Sequence, residues 1–204
     1  IDLIQREPTD LRIFLFDPIK SAPKLLEDYI SPKKLMGGFL DKFPNMFFGG
    51  KGSVTFLHFD IDMAHIFHTH FNGRKHILLF DYKWKDRLYQ IPYATYALED
   101  YDMENPDFTK FPALDEVEGI ECYLEHGDTL FMPTGWWHWM KYLDGSFSIS
   151  LRAWDKRHRG GPPAPIKSCC QVFCPERPWR REHTSIIFYL GRWKRGSSLH
   201  SSQD

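Results

Sequence analysis

Four cysteines in 204 residues are too few for a disulfide scaffold. Cys122 stands alone, and Cys169, Cys170 and Cys174 lack the paired C-x-x-C knuckles of a structural zinc site. Free thiols and a reducing, cytoplasmic setting are therefore expected. No apolar run approaches the ~20 residues of a membrane span, so no membrane partner is expected. Ile1 to Arg6 lacks the basic head and apolar core of a signal peptide. The chain begins with Ile1 rather than Met, so residues upstream are expected to be missing, and with them a substrate-binding or dimerising element; a homodimer stays open. There is no internal repeat and no dense basic run, so nucleic acid is not an expected partner.

Hydrophobic residues make up 42% and aromatics 16% of the chain, enough for the core of one domain with an appendage. The net charge of −1 hides an asymmetry. Residues 1–154 hold 16 Lys+Arg against 23 Asp+Glu, whereas residues 155–204 hold 10 against 4. The basic end reads as a solvated or self-docking extension.

The chain divides into an N-terminal mixed flank (1–44), a β-rich domain (45–155) and a basic C-terminal extension (156–204). In the flank, Leu11 to Phe16 reads as a strand or short buried run. Ser21 to Ile30 reads as a helix with Ser21 as its cap and Pro23 in its first turn, ended by Ser31-Pro32. A second short helix is expected over 33–40. Candidate strands follow at 45–49, 53–60, 64–71, 75–81, 87–91, 119–124, 128–132, 136–142 and 146–154. Asn72-Gly73 reads as a hairpin turn. The acidic stretch 98–118 reads as a long loop shaping substrate access. Many short strands with few helices predict a mainly β sandwich, jelly roll or barrel. In the extension only Thr184 to Leu190 looks like an ordered element.

The chemistry concentrates in two places. His58 and Asp60 are two apart in an apolar strand-like run, so one face offers a nitrogen and an oxygen side by side. About eighty residues later, Gly127-Asp128 opens a strand, Pro133 and Gly135 reverse it, and His138 starts the next strand. Two imidazoles and one carboxylate are the ligand set of a non-haem Fe(II) site with open positions. Trp136 and Trp137 stand beside His138 and can wall off water; at least one tryptophan of Trp136, Trp137 and Trp139 is expected in the pocket. His68-Thr69-His70 is a second H-x-H pair, an alternative metal site with His138. His65 or His68 is alternatively expected near the metal, and His76 adds a further histidine to that stretch.

Gly52-x5-His58-x-Asp60 resembles the first cupin motif, and Gly127-x5-Pro133-x-Gly135-x2-His138 the second. Together they resemble the cupin-like branch of the JmjC superfamily over about residues 45–154. The resemblance implies a double-stranded β-helix (jelly roll) that binds Fe(II) through His58, Asp60 and His138. It implies 2-oxoglutarate as co-substrate, O2, and hydroxylation of an unknown peptide or small molecule. Family members hold the distal carboxylate of 2-oxoglutarate with a hydroxyl and a basic residue. Thr55 and Lys75 match those positions, although simple alternation turns Thr55 away from the His58 face. The interval from His58 to Gly73 is two residues longer than in the asparaginyl-hydroxylase members, so Arg74 is an alternative to Lys75. Arg152 stands where those members carry Asn; it would bind the acidic co-substrate or form an ion pair. A non-catalytic cupin-like binding module, and a metal cupin enzyme without 2-oxoglutarate, are the rival readings.

Overall fold

The computed structural model describes residues 8–27, 36 and 38–154, together with the backbone of 171–174, 185–187 and 191–193. The strands are β1 (Arg12–Phe16), β2 (Asn45–Gly49), β3 (Val54–His58), β4 (His65–Phe71), β5 (Lys75–Phe80) and β6 (Gly119–Leu124). Then follow β7 (Thr129–Met132), β8 (Trp137–Tyr142), β9 (Ser146–Ala153), β10 (Gln171–Cys174), β11 (Ser185–Ile187) and β12 (Gly191–Trp193). They form two antiparallel sheets, one ordered β1-β2-β9-β4-β7-β10-β11 and one ordered β12-β6-β5-β8-β3. Chain neighbours β4 and β5, and β7 and β8, lie in opposite sheets. This is the mainly β jelly roll expected from the pattern of short strands.

Alternation along the strands sorts side chains into layers. On β5, Ile77 and Leu79 enter the space between the sheets, and Leu78 and Phe80 face the other way. All four are fully buried, because both faces of the smaller sheet are covered. Between the sheets, Ile66, Ile77, Leu79, Leu124, Leu130 and Met132 are packed together. Outside the smaller sheet, Leu78, Phe80, Trp137 and Trp139 meet the apolar residues of the long loop, including Tyr101, Phe111, Leu114 and Val117. The 98–118 loop, with its one-turn 3-10 helix Pro112–Glu116, is therefore an outer cover for this sheet and does not border the central cavity. Its acidic residues are largely at the surface, while Leu114 is completely buried.

Several local expectations change. Asp17, rather than Ser21, caps a helix: its Oδ1 accepts from the amides of Ile19 and Lys20 at the start of the single turn α1 (Pro18–Ser21). Only a 3-10 helix, Pro23–Glu27, follows; residues 28–35 are outside the described set. Residues 38–40 are not helical, and Phe39 bridges to Ala153. Over 87–91 there is a turn with an isolated bridge from Gln90 to Ala97 instead of a strand. Asn72 and Gly73 both take positive φ, 61° and 66°, as a tight turn requires, but the turn carries the chain from one sheet to the other. The extension, expected to be irregular, adds β10 to β7, β11 to β10 and β12 to β6. Cys169, Cys170 and the side chain of Cys174 lie outside the described residues. Cys122 is a buried free thiol, pushed up to about 12 by burial and by Glu121 and Asp128.

Candidate metal centre and co-substrate pocket

β3 and β8 pair antiparallel, with His58 directly opposite His138. Just beyond the end of β3, Asp60 turns its Oδ1 toward both rings, 3.5 Å from His58 Nε2 and 3.8 Å from His138 Nε2. One ligand atom from each of the three residues lies within 4.8 Å of the others, so this group is able to hold a metal ion. The outer ring nitrogens are tied to the backbone: His58 Nδ1 meets the Phe56 carbonyl at 2.8 Å and His138 Nδ1 that of Trp136 at 3.2 Å. A carbonyl only accepts, so Nδ1 carries the proton and Nε2 keeps its lone pair for a metal. Burial, helped by His58, pushes His138 down to about 4, which keeps that ring neutral. Burial alone would raise the Asp60 carboxyl. Polar contact with His58 and His138 and the charge of Arg152 outweigh it, holding Asp60 ionised and well below the usual carboxylate range.

Gly135 makes this approach feasible. It takes φ 72° in the turn between β7 and β8, so that the chain crosses between sheets just before His138. Beyond it, alternation on β8 sends His138, Met140 and Tyr142 into the cavity, and Trp137 and Trp139 to the outer core. None of the three tryptophans borders the cavity: Trp137 packs edge-on against Phe59, and Trp136 packs against the cluster between the sheets.

The cavity has a volume of about 610 Å³ and opens beside the three ligands. Thr55 lines it, against the expectation from parity. The reason is a register shift: Thr55 pairs with Met140 while His58 pairs with His138, so β3 spends three residues against two on β8. One extra residue restores Thr55 to the His58 face.

Lys75 is completely buried and points between the sheets. Its Nζ lies 3.1 Å from His68 Nε2, donates to Ser148 Oγ at 2.7 Å, and sits 4.1 Å from the centre of the Tyr142 ring. Among the described residues it meets no carboxylate, and burial lowers it to about 7. Arg74 points the other way, half-exposed beside Glu125 and Tyr123. Lys75 reaches the interior despite the longer interval.

Arg152 bridges two carboxylates. Its Nη2 donates to Asp60 Oδ2 at 2.7 Å and its Nε to Asp62 Oδ2 at 2.6 Å. It thus takes the ion-pair alternative and occupies the Asp60 oxygen that faces away from the histidines. Among the described residues the second histidine pair belongs to no group able to hold a metal. His68 Nδ1 bonds Ser150 Oγ at 2.7 Å and His70 Nδ1 bonds Ser148 Oγ at 3.0 Å, so both rings serve the polar network around Lys75. His68 borders the cavity; His65 accepts the Thr134 amide, and His76 lies on the outer face between Glu104 and Glu121.

Sequence reading passed over Tyr142, Ser148, Ser150 and Asp62. The first three were legible from parity: Tyr142 is four residues after His138, and Ser148, Ser150 and Arg152 alternate along β9. Gly49 on β2 lies flush against Tyr142; a β-carbon there would stand 2.6 Å from the ring.

A two-sheet jelly roll with a histidine at the end of one strand, an aspartate two residues on and a second histidine opposite defines a cupin whose side chains are able to hold a metal. The model of the cupin-like domain family matches residues 16–158, and the chain belongs to that family. It is 37% identical over 151 residues to lysine-specific demethylase JMJ30 of Arabidopsis thaliana, covering 71% of this chain and 33% of that protein. It is 40% identical over 109 residues to JmjC domain-containing protein D of Dictyostelium discoideum, covering 52% and 23%. With tRNA wybutosine-synthesizing protein 5 of Gallus gallus it shares 29% over 151 residues, covering 72% and 44%. The chain thus spans less than half the length of each of these relatives. None of the described helices is long and apolar enough to cross a membrane.

Proposed function

We propose that this chain is the oxygenase domain of an Fe(II)- and 2-oxoglutarate-dependent hydroxylase. His58, Asp60 and His138 would hold the metal, and Lys75, Thr55 and Tyr142 the distal carboxylate of 2-oxoglutarate. The carrying observation is the conjunction of a convergent His-Asp-His group with a fully buried ammonium that meets no carboxylate nearby. Such a cation is costly unless an anion joins it, and a dicarboxylic co-substrate fits that need. When bound, Fe(II) with 2-oxoglutarate supplies the oxidation: dioxygen is consumed, 2-oxoglutarate becomes succinate and CO2, and one oxygen atom enters a substrate C–H bond.

The chain's own residues make that chemistry selective. Two Nδ1–H groups on backbone carbonyls fix the ligand rings. Arg152 engages Asp60 Oδ2 and leaves Oδ1 for the metal, which favours a single carboxylate oxygen as ligand and keeps coordination positions open. Ser148 and His68 orient the Lys75 ammonium, and Tyr142 shields it from water. Relatives named as demethylases and as a tRNA-modifying protein are consistent with oxidative chemistry on varied substrates.

The test is anaerobically loaded Fe(II) protein given 2-oxoglutarate and O2, with succinate measured. Succinate should form in the wild type and be lost in Asp60→Ala. Equal succinate from both proteins would refute the assignment.

A further inference from the structure

Arg12 is a cation at the cavity that touches the proposed co-substrate residues through Thr55 and is given no anion of its own. It lies on β1, outside both ligand motifs. Its Nη1 donates to Thr55 Oγ1 at 3.3 Å, and its guanidinium lies 6.0 Å from the Phe56 ring centre. Among the described residues it pairs with no carboxylate. Its surroundings are apolar and open: Ile13, Phe14 and Leu15 are 49%, 69% and 55% exposed, and Ile61 across the mouth is 83% exposed. The register of β1 shifts between Ile13 and Phe16, with Leu15 at φ 55°, so alternation breaks and three consecutive apolar side chains border the cavity.

The charges of the cavity then decide what it accepts. Its two carboxylates, Asp60 and Asp62, are both engaged by Arg152. On the reading proposed above, a divalent metal and a dianionic co-substrate balance each other. Arg12 and Arg152 of the lining, with Lys75 buried behind it, then stand against two carboxylates, and one positive charge remains. Lys75 lies fully buried behind His68 and Tyr142 of the cavity wall, on the side given to the co-substrate; Arg12 lies exposed at the rim beside Thr55, among apolar residues. A methylated ammonium placed there would meet a guanidinium with no carboxylate left to offset it. A carboxylate would gain a charge-assisted hydrogen bond while its apolar portion covers Ile13 to Leu15.

We infer that the substrate group bound at this cavity is apolar and carries an anion, which Arg12 receives. This rests on the oxygenase reading, and the two separate experimentally. The 204-residue chain, loaded with Mn(II) and 2-oxoglutarate without O2, is titrated with N-acetylphenylalanine, its neutral amide, and N-acetyl-trimethyllysine amide. The anion should bind about tenfold more tightly than the neutral amide, and the cation most weakly. Arg12→Gln should erase the preference for the anion, and Arg12→Lys should keep part of it. Tightest binding of the cation, or an anion preference intact in Arg12→Gln, would overturn the inference. So would a tenfold loss of 2-oxoglutarate affinity in Arg12→Gln with no change for the probes, since Arg12 would then serve the co-substrate. If 2-oxoglutarate does not bind at all, the oxygenase reading fails; the probe series on Mn(II) protein alone still decides for or against Arg12.

Discussion

Replacing Lys75 by Met separates a structural lysine from one kept for a ligand. Met has a similar length and no charge. The change removes an ammonium that is completely buried, that meets no carboxylate among the described residues, and that burial has already lowered to about 7. On the debit side, His68 Nε2 and Ser148 Oγ each lose a donor. Ser148 retains its contact with His70, so the loss amounts to about 1 kcal/mol per bond. Removing an unpaired buried charge relieves a desolvation cost on the order of several kcal/mol. The relief wins, and Lys75→Met should be neutral to roughly 2 kcal/mol more stable at pH 6. The pH dependence fixes the sign. The folded-state value of Lys75 is below its unfolded one, so the unfolded chain binds the extra proton from about pH 7 upward, and wild-type stability rises with pH across that window. The advantage of the variant should therefore shrink between pH 7 and 10. Urea denaturation at several pH values measures this, alongside calorimetric titration with 2-oxoglutarate, whose affinity should fall at least about tenfold. A variant destabilised by more than about 2 kcal/mol that still binds 2-oxoglutarate normally would refute the reasoning.

Asp62→Asn weakens the hold on Arg152 and hence on Asp60, and metal affinity measured by Mn(II) titration should drop roughly tenfold with little change in Tm. Gly49→Ala places a methyl 2.6 Å from the Tyr142 ring, so it should cost about 1–3 kcal/mol in urea denaturation and weaken 2-oxoglutarate binding as the ring shifts. Trp137→Ala removes a fully buried indole from the outer core and should cost about 3–5 kcal/mol, measured the same way, because no part of it faces the cavity.

How much of this was legible in the sequence depends on what each residue's position rests on. His58, Asp60 and His138 were readable because strand parity and turn glycines act locally, and the register of β3 on β8 then brings the rings face to face. Thr55 was legible only through resemblance: the extra residue that returns it to the ligand face is a property of pairing between distant strands. Lys75 and Arg74 are adjacent and chemically alike, and only the placement of β5 between β6 and β8 decides which one is inside. The tryptophans were misplaced because proximity in sequence to His138 was read as proximity in space, although neighbours on a strand face opposite ways. The 98–118 loop looked like a lid because its charges dominate its composition. Its sparse apolar residues, Tyr101, Phe111, Leu114 and Val117, decide where it packs. Arg12 gave no signal, since its meaning comes from the carboxylates that other residues have already taken.

The central claim is that one cavity joins a metal held by His58, Asp60 and His138 to a 2-oxoglutarate held by Lys75. The most direct measurement is calorimetric titration of 2-oxoglutarate into the chain with and without Mn(II), in the wild type and in Asp60→Ala. The account predicts binding that strengthens markedly with metal in the wild type and shows no metal dependence in Asp60→Ala. Metal-independent affinity, equal in the two proteins, would contradict it.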